Sequence, residues 1–519
     1  MLQLKNLILA GLALFAIALA GWKLVDTTSG LDVTRAAVGQ TPVTIFRKSD
    51  VASAPVVVIA HGFAGSQQLM QPFAVTLANN GYIAVTFDFL GHGRHPLPLG
   101  GSIIEVDGAT LALVDQLAAV TTYARTLVSP DPYGKVPGLA VLGHSMASDI
   151  VVRHAQANPD VKATVAVSMF SPVVTPDTPR NLLVVVGDLE PEALKAEARR
   201  VVTMVSSSDP KPQTTYGDFS NGTARRYALA SGVEHVSVLY SQNALREAVQ
   251  WLDQTFERTT NANAKNIFVD TRGPWLGLLF TGLIALARPL SMVLPRGANA
   301  PIGSGLPWRQ LLPVVIGPTL LTPLLLWKMP TDFLPILVGD YLAVHFAVYG
   351  VLTAIGLWWV RRKNAGSGTS AKTNVNALLV ATAAVAAYSI VVIGLPLDEY
   401  VTSFVPVAQR QTLVIAMLLG MLPFFIADEW LTRGADAPKG AYAFTKLMFL
   451  MSLAIAVALN LEKLFFLIII VPVIVIFFIV YGLFSAWAYR QTHHPLVGAL
   501  ANALSFAWAI AVTFPVLAR

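Results

Sequence analysis

Residues 139–150 read LAVLGHSMASDI, a stretch in which an apolar run turns abruptly into a helical pattern. An apolar run ends at Gly143-His144-Ser145-Met146-Ala147, and a helical pattern follows over 146–157. This is the pattern of a nucleophile elbow, a sharp strand-to-helix turn that strains the serine backbone and exposes its hydroxyl. Small residues two before and two after the serine let the backbones approach, and Ala147 stands where glycine is usual. The stretch therefore predicts that Ser145 is a nucleophile at the end of a buried strand.

The sequence around this turn alternates between apolar runs and helical patterns. Continuous Val, Ile and Leu runs are typical of strands covered on both faces, as in a parallel sheet with helices on each side. The predicted strands are 31–38, 42–48, 55–62, 82–89, 138–145, 162–169, 181–188 and 224–231. The predicted helices are 67–80, 108–128, 146–157, 190–205 and 237–256. The sequence thus predicts a doubly wound, mostly parallel α/β domain.

A serine hydroxyl is a weak nucleophile unless a neighbouring base takes its proton. In a fold with such an elbow, the acid and the histidine follow the serine along the chain. Glu190, three residues past Gly187, is the predicted acid, and Asp188, closer to the strand end, is the alternative. His235, in a loop before the last helix of the domain, is the predicted base.

Negative charge that develops on a substrate oxygen needs two backbone N–H donors. The stretch HGFAGS (61–66) follows the first long buried strand, and Met146 opens the helix after the serine. We therefore predict that the N–H groups of Phe63 and Met146 form the oxyanion hole. The glycine-rich loop FDFLGHGRH (87–95) is expected to shape the rim of the site.

No pattern in the chain indicates a metal or a cofactor. The sequence has no cysteine, which excludes disulfides, thiol catalysis and cysteine metal sites. His61 and His144 are expected to be structural or rim residues. The remaining histidines of interest lack carboxylates at ligand spacing, and we expect them to be loop residues: His92, His95, His493 and His494.

Taken as a set, these features resemble the α/β-hydrolase family, in particular its serine-aminopeptidase-like and dienelactone-hydrolase-like members. The resemblance spans 55–256, which is less than half of the chain. Its motifs are the His61-Gly62 turn, DFLGHG (88–93), GHSMA (143–147), the acid after VVVG (184–187) and the late histidine. The resemblance implies hydrolysis of an ester, a thioester or an amide without a cofactor.

Composition separates this region from the rest of the chain. Of the 519 residues, 54% are hydrophobic and only 13% are charged, whereas soluble domains carry about 25% charged residues. Long apolar runs fill the second half, and each reaches the roughly 20 residues that a membrane span requires. The predicted spans lie near 275–294, 308–328, 333–360, 376–395, 410–431, 441–460, 463–489 and 496–516.

The amino-terminal run from Leu7 to Trp22 has the length of a signal peptide or a retained anchor. No clear cleavage site follows it, which favours an anchor. We predict three domains: an N-terminal transmembrane anchor over 1–23, an α/β-hydrolase domain over 24–272, and a multi-pass helical domain of about eight helices over 273–519.

Basic residues predict how the chain is oriented in the membrane. The formal charge is +6, and the positive residues lie mainly between apolar runs, so they indicate topology rather than a nucleic-acid site. With the amino-terminal run there are nine predicted spans: Lys5 precedes the first, and the densest basic cluster, at 361–372, lies between the fourth and the fifth. Counted with the first run, these positions place the N-terminus in the cytoplasm and the hydrolase domain outside it. We expect a bacterial inner membrane, although Arg272 falls on the opposite side from the cluster.

Ionisable residues within apolar runs are costly in lipid and are often functional. Most of them here, including Asp428 and Glu429, are expected at solvated interfaces. Asp340 and His345 are the exceptions, because they lie five apart in an otherwise apolar helix and could both face the interior of a bundle.

Together these patterns predict a membrane-bound serine hydrolase that cleaves carboxylic esters, in particular lipophilic acyl esters. Its partners would be the lipid bilayer and an acyl-ester substrate, with no nucleic acid. The link between the strands at 162–169 and 181–188 is too short for a large cap, so we expect an open site.

One alternative is a transporter or receptor-like membrane protein with an accessory hydrolase domain, and another is a peptidase or acyltransferase of the same fold. No internal repeat typical of transporters is visible.

Overall fold

One sheet forms the centre of the amino-terminal half. The computed structural model describes residues 2–51, 53–101, 106–130, 137–258, 267–363 and 371–518. Its strands are β1 Leu31–Val38, β2 Thr41–Lys48, β3 Val56–Ala60, β4 Ile83–Phe87, β5 Leu139–His144, β6 Val161–Val167, β7 Leu182–Gly187 and β8 Arg225–Ala230. The order across the sheet is β1-β2-β4-β3-β5-β6-β7-β8. The β1–β2 and β2–β4 pairs are antiparallel, and the other neighbours are parallel. The predicted α/β class is confirmed.

Helices cover both faces of the sheet. They follow an amino-terminal helix α1 (Leu2–Asp26) and are α2 Gln71–Asn79, α3 Leu111–Thr126, α4 Met146–Ala157, α5 Glu192–Thr203 and α6 Gln242–Thr255. Successive strand residues point to opposite faces. Val57 and Ile59 therefore belong to one apolar core cluster, with residues of α2 and α6, whereas Val56 and Val58 belong to the other, with residues of α3 and α4.

Two of the predicted helices begin with a 3₁₀ turn in the structure. The region 67–80 begins as a 3₁₀ turn, Gln67–Met70, and continues as α2, with Pro72 in its first turn. Proline is favoured there because an N–H in the first turn has no partner within the helix, so the lack of an N–H on proline costs no helical hydrogen bond. The region 237–256 likewise begins as a 3₁₀ turn, Ser237–Tyr240, before α6.

Contacts along the chain divide it into two units. The α/β unit contains Ala18–Leu278, and it also contains two short later segments, Leu397–Ser403 and residues 515–518. The helical unit contains residues 2–17, Leu279–Pro396 and Phe404–Phe514. The sequence prediction placed both short segments in the helical domain.

The later of these segments pairs with the loop that follows β4. The Val516 N–H donates to the Gly91 carbonyl at 2.9 Å, and the Leu99 N–H donates to the Val516 carbonyl at 2.8 Å. The Ala518 N–H donates to the Leu99 carbonyl at 2.7 Å, and Leu99 and Leu517 form a parallel bridge. Residues from the far end of the sequence thus pair with the backbone of the glycine-rich loop.

Helices, most of them long and apolar, follow one another through the second half of the chain. They are α7 Arg272–Ser291, α8 Trp308–Leu326, α9 Gly339–Lys363, α10 Val375–Ala387, α11 Gly394–Tyr400, α12 Ala408–Thr432, α13 Ala441–Leu459, α14 Leu461–Thr492 and α15 Pro495–Thr513. A π-helical turn, Tyr388–Val392, lies between α10 and α11, and one candidate span covers Val375–Tyr400. Within the described residues nine helices, including α1, are long and apolar enough to cross a membrane. Each predicted span corresponds to one of these helices.

Polar side chains are buried inside the helical unit. Asp340 and His345 are 4% and 0% exposed, as expected, and His345 Nε2 lies 3.1 Å from Ser452 Oγ. Asp428 and Glu429 differ from the prediction, because they are buried and ion-paired rather than solvated. Their partners are Lys446 for Asp428 and Arg433 for Glu429, the latter pair at 2.8 Å. A buried charge is tolerated when a partner of opposite charge accompanies it.

Candidate active site

The turn between β5 and α4 has the geometry of an elbow. Ser145 has φ 54° and ψ −118°, a left-handed conformation that is rare for residues other than glycine. A Cβ atom at Gly143 would lie 2.5 Å from the Ala147 carbonyl oxygen, so only glycine fits there. Ala147 is fully buried against this backbone, which explains why a small residue follows as well. Strain of this kind concentrates at functional sites.

Three predicted site residues meet at this turn. The Ser145 hydroxyl lies 2.9 Å from Nε2 of His235, and Nδ1 of His235 lies 2.8 Å from Oε2 of Glu190. With Nδ1 carrying the proton, His235 donates to Glu190 and accepts from Ser145. The side chain of His235 is 34% exposed, whereas that of Glu190 is 0% exposed. A reactant can therefore approach the serine and histidine, while the carboxylate is shielded.

Glu190 is held by three donors. Its Oε1 atom accepts from the Gly187 N–H and from the Ser168 hydroxyl, both at 2.8 Å, and its Oε2 atom accepts from His235. Burial by itself raises the pKa of Glu190, but the hydrogen bonds from His235, Gly187 and Ser168 together hold that pKa below its ordinary value. The carboxylate is thus ionised at neutral pH and can stabilise a positive charge on His235.

The alternative acid, Asp188, lies elsewhere. Its side chain is exposed, and Oδ1 accepts the Gly232 N–H at 2.7 Å. The neighbour of the histidine, Glu234, accepts the N–H groups of Val236 and Ser237 in its own turn, at 2.9 and 2.8 Å. Of these three acids, the structure places only Glu190 against His235.

The two predicted oxyanion donors flank Ser145. Met146 is the first residue of α4, and N–H groups at a helix start are not used within the helix. Gly62, next to Phe63, packs so closely that a Cβ atom on it would lie 3.0 Å from Cβ of Ser145. The loop of Phe63 therefore lies beside the serine. The role of both N–H groups in catalysis stays a prediction.

The expected rim loop is anchored by a buried carboxylate. Asp88 accepts the Gln67 N–H at 2.8 Å, the Gln67 side-chain amide at 3.0 Å and the Arg94 N–H at 3.1 Å. His61 accepts the Phe89 N–H at 3.1 Å through Nε2, so it also joins the loops after β3 and β4. Asp88 and His61 thus fix the loops beside the elbow.

Of the four histidines expected in loops, His92, His95 and His494 make side-chain hydrogen bonds within the protein. His95 Nε2 lies 3.2 Å from the Thr41 hydroxyl, and His494 Nδ1 accepts the Leu496 N–H at 3.2 Å. The described residues contain no group of three or more His, Asp or Glu side chains that could hold a metal ion.

Sequence reasoning did not identify two contacts that position the site. Ser168, just after β6, has φ 56° and supports Glu190. His144 donates from Nε2 to the backbone carbonyl of His235 at 2.9 Å. Burial, and then the neighbouring His235, lower the pKa of His144 to about 3, so its ring is neutral. A hydroxyl or imidazole near a strand end is common, so neither contact has a signal in the sequence.

Comparison with known proteins identifies a family that matches the α/β part of the chain. Residues 52–261 match the model of a family described as serine aminopeptidase, S33. This segment is an α/β-hydrolase domain. The resemblance found in the motifs is therefore confirmed for that part of the chain.

Other comparisons are more distant. No curated protein matches the chain. Among solved structures it is similar to one described as a predicted CIB-like hydrolase from Thermoplasma acidophilum, at 16% identity. The alignment covers 44% of this chain and 98% of that chain, with a TM-score of 0.32.

Proposed function

We propose that the protein is a membrane-bound serine hydrolase that cleaves carboxylic esters through Ser145, His235 and Glu190. The observation that carries this proposal is the continuous hydrogen-bonded path from the Ser145 hydroxyl through His235 to Glu190, at 2.9 and 2.8 Å, on a strained elbow. Nucleophile, base and orienting acid in contact are the minimum that an activated serine needs.

The reaction follows from the protonation states. His235 removes the Ser145 proton as the hydroxyl oxygen attacks the ester carbonyl, and Glu190 stabilises the imidazolium. The N–H groups of Met146 and Phe63 hold the negative oxygen of the tetrahedral intermediate. His235 then gives its proton to the leaving alcohol, and water hydrolyses the acyl-enzyme by the same route in reverse.

Membrane association supports a lipophilic substrate. Esters with long acyl chains partition into the bilayer, where an enzyme carried by apolar helices meets them at high local concentration. Positive residues such as Lys5 and Arg361 support an orientation with the hydrolase domain outside the cytoplasm of a bacterial cell. The lipid bilayer is then the partner of the helical unit, and no cofactor takes part.

The family description favours a second candidate, an aminopeptidase. The same residues could cleave an amide, with His235 protonating the leaving amine. The two candidates differ in the leaving group and in the need to recognise a free amino terminus. A substrate panel separates them more directly than the geometry of Ser145 does.

The test combines labelling with such a panel. In the full chain in detergent, a fluorophosphonate probe is expected to label the parent protein and not Ser145→Ala. Hydrolysis of p-nitrophenyl esters of several chain lengths is expected to fall by about 10³-fold or more in that variant. Unchanged labelling of Ser145→Ala would end the proposal. Turnover of aminoacyl anilides but not of esters would replace it with the aminopeptidase.

A further inference from the structure

The segment Leu397–Ser403 belongs to the α/β unit, although the chain reaches it only at the end of the candidate span Val375–Tyr400. It comprises the last turn of α11 and the residues after it. Carbonyls in the last turn of a helix have no partner within the helix. The groups that donate hydrogen bonds to these carbonyls therefore show which part of the protein holds the segment.

Side chains from the start of α2 and the turn before it satisfy these carbonyls. The Gln68 amide donates to the Asp398 carbonyl at 3.0 Å, and the Gln71 amide donates to the Glu399 carbonyl at 2.9 Å. Gln68 is only 3% exposed. Two glutamines of the α/β domain thus cap the end of a helix that arrives from far along the chain.

Serines complete the contact. The Ser403 N–H donates to Ser66 Oγ at 3.0 Å, and the Ser403 hydroxyl donates to Gln68 Oε1 at 3.1 Å. Ser66 and Ser403 are 0% and 2% exposed. Arg94 donates to the Asp398 carboxylate at 2.6 Å, so a buried polar network joins the segment to the α/β domain.

The strip Ser66–Gln71 that receives these bonds continues directly from the loop of Phe63. The Gly65 N–H donates to the Gly62 carbonyl at 3.1 Å, which closes the turn around Phe63 just before Ser66. Asp88 fixes the strip through Gln67 on one side, and the segment Leu397–Ser403 fixes it through Ser66, Gln68 and Gln71.

We propose that Leu397–Ser403 is a positioning segment for the loop of Phe63, so that the α/β-hydrolase site is completed by residues at the end of the fifth candidate span and just after it. This inference rests on the proposed function. A donor of an oxyanion hole acts only when it is held where the negative charge develops. Loosening the segment should therefore raise the energy of the transition state and leave the binding of the ground state unchanged.

The experiment uses the full chain and counts active sites by titration with the fluorophosphonate. Ser403→Ala, which removes the donor to Gln68, is expected to lower kcat per titrated site about tenfold on a short soluble ester, with KM within about twofold. Its affinity for a trifluoromethyl ketone, whose adduct carries the negative oxygen, should fall by about the same factor. Ser403→Thr keeps the hydroxyl and should restore kcat to within about twofold of the parent value.

The control is Arg35→Gln, which breaks an exposed ion pair with the Glu399 side chain and is expected to change kcat by less than about twofold. If Ser403→Ala yields no titratable sites, Asp398→Asn weakens the contact with Arg94 and gives the same test. A kcat per site equal to that of the parent in these variants would overturn the positioning role alone. Absence of Ser145-dependent labelling in the parent would instead overturn the proposed function, and this inference with it.

Discussion

Glu190 and Asp188 lie two residues apart, yet they have different partners. Glu190 is bonded to His235, and Asp188 closes a surface turn at Gly232. Because only a carboxylate on His235 stabilises the imidazolium, Glu190→Gln is expected to lower kcat by about 10²- to 10⁴-fold. Asp188→Asn should stay within about threefold of the parent, since its contact is exposed. Steady-state kinetics on one ester would check both, and a larger loss in Asp188→Asn would assign the acid to Asp188.

A second prediction concerns the side chain of Ser168. Its hydroxyl is one of the donors that hold the pKa of Glu190 below the ordinary value, against the raising effect of burial. In Ser168→Ala that pKa rises, so activity should be lost at a higher pH on acidification than in the parent. The pH profile of kcat measures this, with Ser53→Ala, which loses a surface hydroxyl, as the control. Coincident profiles for Ser168→Ala and the parent would refute this role.

The grouping of Ser145, Glu190 and His235 was predictable from the sequence because each of them stands after a strand or before a helix. Ser145 has an elbow motif around it, Glu190 follows VVVG, and His235 precedes α6. Ser168 has no such motif, and its partner lies 22 residues away in the chain. A contact of this kind depends on the register of neighbouring strands, which short-range patterns do not specify.

At the scale of the element, α4 carries both the elbow and a buried histidine. His154 is 1% exposed, its Nδ1 atom lies 3.3 Å from the Asn158 amide, and its Nε2 atom lies 3.2 Å from the Thr121 hydroxyl. Burial, and then the charge of Arg125, lower the pKa of His154 to about 4 from its ordinary 6.5. The ring is therefore neutral in the folded protein.

This histidine should make the domain sensitive to acid. Between about pH 6.5 and 4 the unfolded chain binds a proton at His154 that the folded chain does not, so stability falls as the pH falls. His154→Gln removes this contribution, and its Tm should vary less with pH across that window than the Tm of the parent. Thermal unfolding of the full chain in detergent at several pH values would show it, and parallel curves would contradict it.

Strands were predicted to within about two residues, because runs such as VVVIA are buried on both faces and carry the signal in their own composition. Helix starts were less accurate. Pro72 and the turn before it divide a segment whose apolar pattern looks continuous. The start of α2 follows from Pro72, because proline fixes its own φ angle and has no backbone N–H to donate.

At the scale of the whole molecule, the orientation in the membrane is the open prediction. Lys5, Arg361 and Arg362 should be cytoplasmic and Ser145 should lie outside the cytoplasm, since basic loops are retained inside. Residues 364–370 of the basic stretch lie outside the described residues. A membrane-impermeant fluorophosphonate on intact cells is expected to label Ser145, with Ser145→Ala as the blank. Labelling that requires lysis would reverse the orientation.

Domain boundaries were predictable only as far as composition changes abruptly. The shift from mixed to apolar sequence after residue 272 is visible in the chain. The return of Leu397–Ser403 and residues 515–518 to the α/β unit is not, because such short segments have no composition of their own. Long-range hydrogen bonds, such as those of Gln68 and Gly91, show where these segments belong.

The pairing of Val516 with Gly91 and Leu99 also sets an order of events during synthesis. A ribosome makes residues 515–518 after every apolar helix of the described chain, so the glycine-rich loop can pair with them only once those helices have been synthesised. A nascent chain that stalls, or whose helices are misinserted, leaves that loop without its late partner. The α/β unit is thus completed only when the whole described chain has been made, and the proposed ester hydrolysis would then report that synthesis reached residues 515–518.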